Sequence, residues 1–351
     1  MMGNKPENIQ DEIERLREQQ ELKNRIRKRR RRNRLVKRIL TGLLLVCLIT
    51  AGILFLYFPL VRKDFRFLPF LKLEKPTEPA VVDSLEDPEK SLCITFANVG
   101  EGDCTIIYDP KTKSALIIDA GYWNYAAHVT EQVKSFGEVQ NVQMILTHPH
   151  SDHMGGLTEI LKKKMLPVTQ LYYSAPTAGE SAFAELKEEA ERQNFQIRAL
   201  AAGDSFFFGT AQISIVSPKN EPYEDLNNAS LAVVIAHEGH KILIAGDMER
   251  EAESALCDSE YATLIRDVDI LRVGHHGSNS STSYRFLDLT YPGIAVISVG
   301  AGNAYGHPDV DVLSRLEDLA RKRSGGCLIL RTDQDGDITF VSEPAGLKRL
   351  K

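Results

Sequence analysis

Between residues 91 and 345, short apolar runs alternate with longer segments in which apolar residues recur every three or four positions. Runs such as Val142 to Leu146 are typical of buried strands, whereas a segment such as Val310 to Arg321 has the spacing of an amphipathic helix. Hairpins cluster early in this region, and helices are interleaved later. The pattern predicts an α/β fold in which helices cover the outer sides of two facing sheets, an αββα sandwich.

The predicted strands share apolar, β-branched character and are Leu92 to Asn98, Cys104 to Tyr108, Ala115 to Asp119, Val142 to Leu146, Gln170 to Tyr173, Gln196 to Ala201, Gln212 to Val216, Leu231 to His237, Ile242 to Ala245, Ile270 to Val273, Ile294 to Val299, Leu328 to Arg331 and Asp337 to Val341. The predicted helices are Tyr125 to Phe136, Leu157 to Lys164, Ala182 to Gln193, Glu249 to Leu256, Thr282 to Leu289 and Val310 to Arg321.

The first ninety residues have a different pattern. Ile39 to Val61 contains no charged residue, and a helix of about 23 residues rising about 1.5 Å each is long enough to cross a bilayer. We therefore predict a single transmembrane helix at 39–61. A cleavable signal peptide is the alternative, but the apolar run is too long and no small-x-small cleavage site follows it closely.

Charge is divided unevenly along the chain. Residues 1–38 hold 14 Lys and Arg against 6 Asp and Glu, a net charge of +8, whereas the remainder has a net charge of −13. The positive-inside rule then predicts that 1–38 is a basic cytoplasmic tail and that everything after Arg62 lies outside the cytoplasm. The arginine run is interpreted as a topology determinant that attracts anionic lipid, in preference to a nucleic-acid contact.

Residues 62–90 contain four prolines and many charges, which predicts an extended linker before a folded domain at 91–345. The chain has five cysteines, with no pair at metal-ligand spacing. Cys93 and Cys104 fall in predicted strands, where buried thiols act as small hydrophobes. A disulfide scaffold is not indicated.

The densest chemistry lies directly after the strand Val142 to Leu146. Thr147 to His153 contains His148, His150, Asp152 and His153. In extended chain, His148 and His150 project to the same side, and the next two ligand-type residues begin a turn that can face a second ion. Imidazole and carboxylate suit zinc, manganese or iron. The alternative is a solvated loop that is rich in histidine by chance.

Further polar clusters also fall at predicted strand ends, including Asp119-Ala120-Gly121, Gly246-Asp247, Gly274 to Ser278 and Asn303 to Pro308. With the histidine motif, they resemble the metallo-β-lactamase superfamily. Asn98 to Asp103, Asn227 to Leu231 and the last two clusters are similar to the C-terminal β-lactamase-like domain of ComEC-type competence DNA-uptake proteins. The resemblance covers residues 91 to 345, with every block in order.

The resemblance implies roles for individual residues. His148 and His150 would hold one metal, Asp152 and His153 a second, and Asp247 would bridge them. Either His275 or His276 would complete the second site; we favour His276 as the ligand and His275 as a catalytic residue facing the substrate. Asp152 is a second candidate for proton transfer. The implied cofactor is Zn²⁺ or Mn²⁺, as one or two ions, and the candidate substrate contacts are Asn228, Ser230, Ser278, Tyr305 and His307.

Several of these roles have structural alternatives. Tyr305 and His307 could contact a phosphate, or their loop could simply cap the next helix. Asp119 could orient a ligand or form an ordinary turn, and Trp123 could line the pocket or pack. The superfamily usually has a further histidine where this chain has Asn227 to Ser230, so the first metal would lack a strong ligand. His237 and His240 are too far along their strands to replace it and are predicted to be exposed turn residues.

These observations predict a membrane-anchored extracytoplasmic metal-dependent hydrolase, with a phosphodiesterase or nuclease favoured. The resemblance implies single-stranded DNA as the substrate. The net charge of −13 after residue 38 argues against a broad polyanion-binding surface and keeps a teichoic-acid-type phosphodiester as a competitor. The same residues would also suit a thioester or lactone hydrolase, or a catalytically weak binding module that keeps the fold. One predicted span cannot form the multi-span channel of a ComEC-type protein.

Overall fold

The computed structural model describes residues 78–350. Two mixed sheets are built from sixteen strands, here β1 to β16 in chain order: Val81–Val82, Leu92–Phe96, Thr105–Asp109, Ser114–Ile118, Asn141–Leu146, Val168–Ser174, Gln196–Leu200, Ser205–Phe208, Ala211–Ser217, Ala232–His237, His240–Ile244, Ile270–Arg272, Ile294–Ile297, Leu328–Arg331, Ile338–Glu343 and Gly346–Leu350. The helices α1 to α7 are Ala126–Ser135, Ser151–Lys162, Ala184–Arg192, Arg250–Cys257, Tyr284–Thr290, Val310–Lys322 and Thr332–Asp335. Single 3-10 turns connect them at Pro88–Lys90, Trp123–Tyr125, Ala175–Thr177, Ser181–Phe183, Leu226–Ala229 and Glu260–Thr263, and a turn with left-handed backbone lies at Gly274–Gly277.

The nine-stranded sheet has the order β1-β16-β15-β2-β3-β4-β5-β6-β7, and the seven-stranded sheet has the order β14-β13-β12-β11-β10-β9-β8. Strands β4 to β7 are parallel, as are β11 to β14. Because parallel strands end at the same edge of a sheet, their following loops gather there. The ligand-type residues of the sequence follow β4, β5, β11 and β12.

Three apolar layers hold the sheets and helices together. Residues such as Phe96, Phe340 and Ile213 fill the space between the two sheets. Val129 of α1 and Leu157 of α2 pack on the outer face of the nine-stranded sheet. Leu316 of α6, with residues of α4 and α5, covers the outer face of the seven-stranded sheet. This arrangement confirms the predicted αββα sandwich.

All thirteen predicted strands and six predicted helices occur, with shifted ends. The sequence did not predict β1, β8 or β16. Strands β1 and β16 extend the nine-stranded sheet beyond the predicted 91–345 domain on both sides. Val81 is the register partner of Arg349, and the Arg349 amide donates a 2.8 Å hydrogen bond to the Ala80 carbonyl, so the two ends of the described chain are neighbours.

The predicted tail, transmembrane helix and most of the predicted linker lie outside the described residues. Within 78–350, no helix is both long and apolar enough to cross a bilayer.

The hairpin between β10 and β11 corrects one prediction. His237 and His240 pair at its end, as expected, but His237 is buried and His240 is half-buried. The ring of His237 is covered because β15 lies over it: Nδ1 is 2.9 Å from the hydroxyl of Ser342. Neither imidazole joins the ligand cluster, which follows the opposite end of β11.

Candidate metal centre

Four ligand atoms converge where the loops of the two sheets meet. They belong to Asp152, His153, Asp247 and His276, and they all lie within 4.8 Å of one another. Nε2 of His153 is 3.1 Å, and Nε2 of His276 is 3.3 Å, from the same Oδ2 atom of Asp247. The α2 residues Asp152 and His153 therefore meet side chains that lie about one hundred residues later in the sequence.

Backbone contacts fix the start of α2 against the turn after β4. The Ala120 amide donates to the His153 carbonyl at 2.8 Å, and the Gly156 amide donates to the Gly121 carbonyl at 2.9 Å. A Cβ added to Gly156 would lie 2.0 Å from the Ala120 carbonyl oxygen. Only glycine allows this close approach, which sets the position of the two ligand residues in the first turn of the helix.

Each of the two inner imidazoles is oriented through its second nitrogen. Nδ1 of His153 donates to Oδ2 of Asp119 at 2.7 Å, and Asp119 also accepts from the amide and hydroxyl of Thr147. Nδ1 of His276 lies 3.0 Å from the Ser298 carbonyl, which can accept a hydrogen bond from it. Both contacts leave Nε2 directed into the cluster, as metal-binding histidines are commonly held. Asp119 therefore orients a candidate ligand, which is one of the two roles that its sequence context allows.

The turn that carries His275 and His276 has unusual backbone geometry. Their φ angles are 47° and 51°, in the left-handed region that residues with a side chain seldom adopt. Two consecutive residues of this kind turn the chain back at the end of β12. As a result His276 is buried in the cluster, while His275 faces the cavity. Backbone strain of this kind is concentrated at functional sites.

The charges of the cluster are strongly coupled. Burial alone would raise the pKa of Asp247, but His153 and His276 outweigh it and hold that pKa well below the ordinary value. Burial lowers the pKa of His276, yet Asp247 and Asp152 raise it to about 9. The pKa of Asp152 is about 2, because contacts with His276 and His153 exceed the effect of burial. Asp247 and Asp152 therefore carry negative charge, which favours a cation between the four side chains.

The donor set fits a divalent cation. Two imidazole nitrogens and two carboxylate oxygens are the ligand types of zinc, manganese and iron sites. Nε2 of His276 is also buried, and within the described residues it faces carboxylate oxygens of Asp247 and Asp152, at 3.3 and 3.4 Å, without a well-aligned hydrogen bond. A cation between these atoms would satisfy all of them.

The set of ligands expected for the first metal is less complete than that of the four-atom cluster. Nε2 of His148 is 2.9 Å from Nδ1 of His150 but 3.9 Å from Oδ2 of Asp247. Where the superfamily usually has another histidine, the Ser230 hydroxyl lies 3.2 Å from Nδ1 of His148 and accepts from the Asp247 amide at 3.1 Å. Ser230 thus fixes two candidate ligands. It is fully buried and is not part of the cavity lining, and its contact with substrate stays a prediction.

A cavity of about 290 Å³ opens above the cluster. His150, Asp152, Asp247, His275, His276, Tyr305 and His307 line it, together with Glu101, Tyr122 and Asn227. Asn228, another predicted substrate contact, is buried, and its Oδ1 accepts from the Glu249 amide. Ser278 is not part of the cavity lining; its hydroxyl lies 2.9 Å from that of Ser280. Substrate contact by these two residues stays a prediction.

His275 and His276 occupy different environments. His276 belongs to the four-atom cluster, whereas Nε2 of His275 is 4.0 Å from Oδ2 of Asp247. Nδ1 of His275 is 3.2 Å from Oε1 of Glu249, which orients the ring at the cavity wall. This geometry favours the assignment of His276 as a ligand and His275 as the residue that faces substrate.

Sequence reasoning missed Arg272, which lies under the cluster. Its guanidinium is fully buried, contacts Asp103 at 2.9 Å and Asp247 at 3.4 Å, and donates to the Gly246 carbonyl at 2.6 Å. The sequence does contain a signal: Arg272 is the one charged residue in the apolar run Ile270 to Val273, immediately before the histidine pair. Glu249 was also missed, because acidic residues are common at helix N-termini, where they interact favourably with the helix dipole.

The chain is similar to several known proteins. The model of the metallo-beta-lactamase superfamily matches residues 97–301. The chain is 28% identical to ComE operon protein 3 of Bacillus subtilis, and the alignment covers 70% of this chain and 32% of that protein. It is also 28% identical to competence protein ComA of Neisseria gonorrhoeae, and that alignment covers 74% of this chain and 34% of ComA. It therefore spans about a third of the length of these relatives. The metallo-beta-lactamase fold protein YhfI of Bacillus subtilis is a similar solved structure, with a TM-score of 0.47, 12% identity and coverage of 72% of this chain and 100% of YhfI.

Proposed function

The chain belongs to the metallo-beta-lactamase superfamily, and from that premise we propose that it is a metal-dependent hydrolase that cleaves phosphodiester bonds, with single-stranded DNA as its substrate. The observation that carries the proposal is the convergence of four ligand atoms at the floor of a cavity, with His275 beside them. Similarity to a competence protein and to a ComE operon protein supports a nucleic-acid substrate.

In this proposal Asp152, His153, Asp247 and His276 hold a divalent cation, Zn²⁺ or Mn²⁺. When bound, the cation supplies positive charge that stabilises phosphoryl oxygens and makes water more acidic. Asp119 and the Ser298 carbonyl keep the two imidazoles oriented. His148 lies 3.9 Å from Asp247 and 2.9 Å from His150, and these two imidazoles are the residues available to a second ion.

Proton transfer is assigned to His275. The ring is partly exposed on the cavity wall, and Glu249 fixes the orientation of its Nδ1 atom. Nε2 is then the atom that faces substrate, where it can give a proton to the departing oxygen. Asp152 is less suited to this role, because its Oδ2 atom lies in the ligand cluster, 3.4 Å from Nε2 of His276.

An activity panel tests the proposal. Purified protein with Mn²⁺ or Zn²⁺ is assayed on a labelled single-stranded oligonucleotide, bis-p-nitrophenyl phosphate, a thioester and a lactone. Turnover of the two phosphodiesters, lost in Asp247→Ala and kept in Asp288→Ala, is expected; Asp288 is an exposed acid on α5. Turnover of the thioester or lactone alone would reject the phosphodiester assignment. Absence of bound metal and of any change in Asp247→Ala would indicate a binding module.

A base-free phosphodiester of the teichoic-acid type is the second candidate. The net charge of −13 after residue 38 and the presence of Glu101 at the cavity disfavour binding of a long polyanion. A glycerol-phosphate polymer belongs in the same assay panel. Faster turnover of that polymer than of the oligonucleotide would select this candidate.

We also propose that residues 39–61 anchor the protein and that the hydrolase domain lies outside the cytoplasm. The uncharged segment and the basic residues before it support this orientation. In a variant whose five native cysteines are replaced by serine, single cysteines at Asn4 and at Gly179, an open surface position, can be probed in spheroplasts with a membrane-impermeant maleimide. Labelling at 179 but not at 4 is expected, and the opposite pattern would invert the topology.

A further inference from the structure

The side chain of Tyr305 stands at the cavity wall with 69% of its surface exposed. Exposed aromatic residues are common on protein surfaces, so exposure alone indicates no function. Here, however, the ring is nearly parallel to that of His307, with an interplanar angle of 15° and 5.8 Å between centroids. One face of Tyr305 is supported by His307.

The loop that presents Tyr305 is fixed by hydrogen bonds. Nδ2 of Asn303 donates to the carbonyls of Gly300 and His307, at 3.0 and 2.6 Å, and Oδ1 of Asn303 accepts from the His307 amide at 2.9 Å. The Ala304 amide donates to Oε1 of Glu101 at 2.7 Å, which joins the loop to the segment before β3. A ring held in this way loses little conformational freedom when it binds a partner.

A series of rings connects this position with the ligand cluster. The centroid of His307 is 5.9 Å from that of His275, and the centroid of His275 is 6.2 Å from that of His276. A substrate strand whose phosphodiester lies over the cluster can therefore place a neighbouring group beside Tyr305. In a nucleic acid that neighbouring group is a planar base.

We propose that Tyr305, backed by His307, is a stacking platform for a nucleobase of the substrate strand. This rests on the proposed function and deepens it, because it selects nucleic acids over base-free phosphodiesters. It also replaces the phosphate contact predicted for Tyr305. Every base has a flat aromatic face, so the platform tolerates any sequence and needs no broad basic surface.

The test compares two labelled oligonucleotides with the same backbone, one bearing thymine and the other abasic at every position. Binding to the full-length protein is measured by fluorescence anisotropy with Mn²⁺ and, separately, with EDTA. Tyr305→Ala is expected to weaken binding of the thymine strand roughly 5- to 100-fold, the usual effect of losing one base–aromatic stack. Binding of the abasic strand stays unchanged, and Tyr305→Phe retains wild-type affinity.

Phe207→Ala is the matched control, because Phe207 is 75% exposed on β8 and does not line the cavity. Equal affinity of the wild-type protein for both strands, or an equal loss for both in Tyr305→Ala, would overturn the platform. Cleavage is scored separately on the same strands. If neither is cleaved, the proposed function fails, and the anisotropy comparison still decides whether Tyr305 stacks on a base.

Discussion

The Nε atom of Arg272 lies 2.9 Å from Oδ2 of Asp103, and both side chains are buried beneath the candidate metal centre. The guanidinium also contacts Oδ1 of Asp247, the carboxylate oxygen opposite to the one that faces His153 and His276. Arg272 thereby joins the segment before β3 to the loop after β11. It is a positioning residue for the ligand cluster.

Arg272→Met is expected to lower the free energy of unfolding by about 3–5 kcal/mol, since it leaves the Asp103 carboxylate buried without its partner. Urea denaturation of the purified protein measures the change. The double variant Arg272→Met/Asp103→Leu removes both charges and should recover a large part of the loss. A single variant as stable as wild type would contradict the importance of this ion pair.

The two adjacent histidines should separate metal binding from proton transfer. Loss of a residue that only orients a metal ligand weakens metal binding by roughly 10- to 100-fold. Because His276 is proposed to be a ligand itself, His276→Ala is expected to weaken metal binding by more than this. His275→Ala should retain the metal and lower kcat by about 10²- to 10⁴-fold, the usual contribution of a general acid. Elemental analysis after dialysis and steady-state kinetics provide the two readouts. Loss of metal in His275→Ala alone would reverse the assignment.

The contact between Gly156 and Ala120 gives a steric prediction. A methyl group on Gly156 would overlap the Ala120 carbonyl, so Gly156→Ala should destabilise the fold by about 1–3 kcal/mol and displace the ligands at the start of α2. Gly179→Ala is the matched control, because no atom lies within 4 Å of its added Cβ. Denaturation midpoints and metal content are compared. Equal midpoints for the two variants would show that the turn after β4 moves freely.

Glu253 on α4 gives a pH-dependent prediction away from the metal ligands. Its carboxylate is buried and accepts from the amides of Thr282 and Ser283. Burial raises its pKa above the ordinary 4.5. Between 4.5 and the raised value, the folded state therefore binds more protons than the unfolded state, and the free energy of unfolding falls as the pH rises.

Glu253→Gln removes this titration while keeping one acceptor oxygen. The stability of wild type relative to the variant should therefore decline from about pH 4.5 upward and become constant at higher pH. Urea titrations between about pH 4 and 7 measure the difference, with the exposed Glu188→Gln as the control for an amide substitution. A difference that grows with pH would contradict the raised pKa.

The apolar pattern predicted the strands and helices well because side chains that face a buried layer must be apolar. Such side chains recur at every second position in a strand and at every third or fourth position in a helix. It missed β16, whose residues are all half-buried and include Lys348 and Arg349. The position of β16 is set by pairing with β15, which a local pattern does not contain. Helix α2 begins six residues before its prediction, because two glycines that disfavour a free helix here allow close packing.

The sequence indicated candidate ligand residues because their spacing is dense and follows strand ends. It could not predict which atoms meet, since Asp247 and His276 lie far from Asp152 in the chain. The burial of Ser230 and His237 likewise depends on distant partners. The choice between His275 and His276 needed the left-handed turn, which no local residue preference indicates.

The pairing of Val81 with Arg349 has a consequence for how this domain can be used. A domain whose first and last strands are neighbours can be inserted into a much longer polypeptide without a change in its own fold. The fold of this domain therefore permits its insertion at a single position of a longer chain, and a second protein can be fused at the same edge of the sheet.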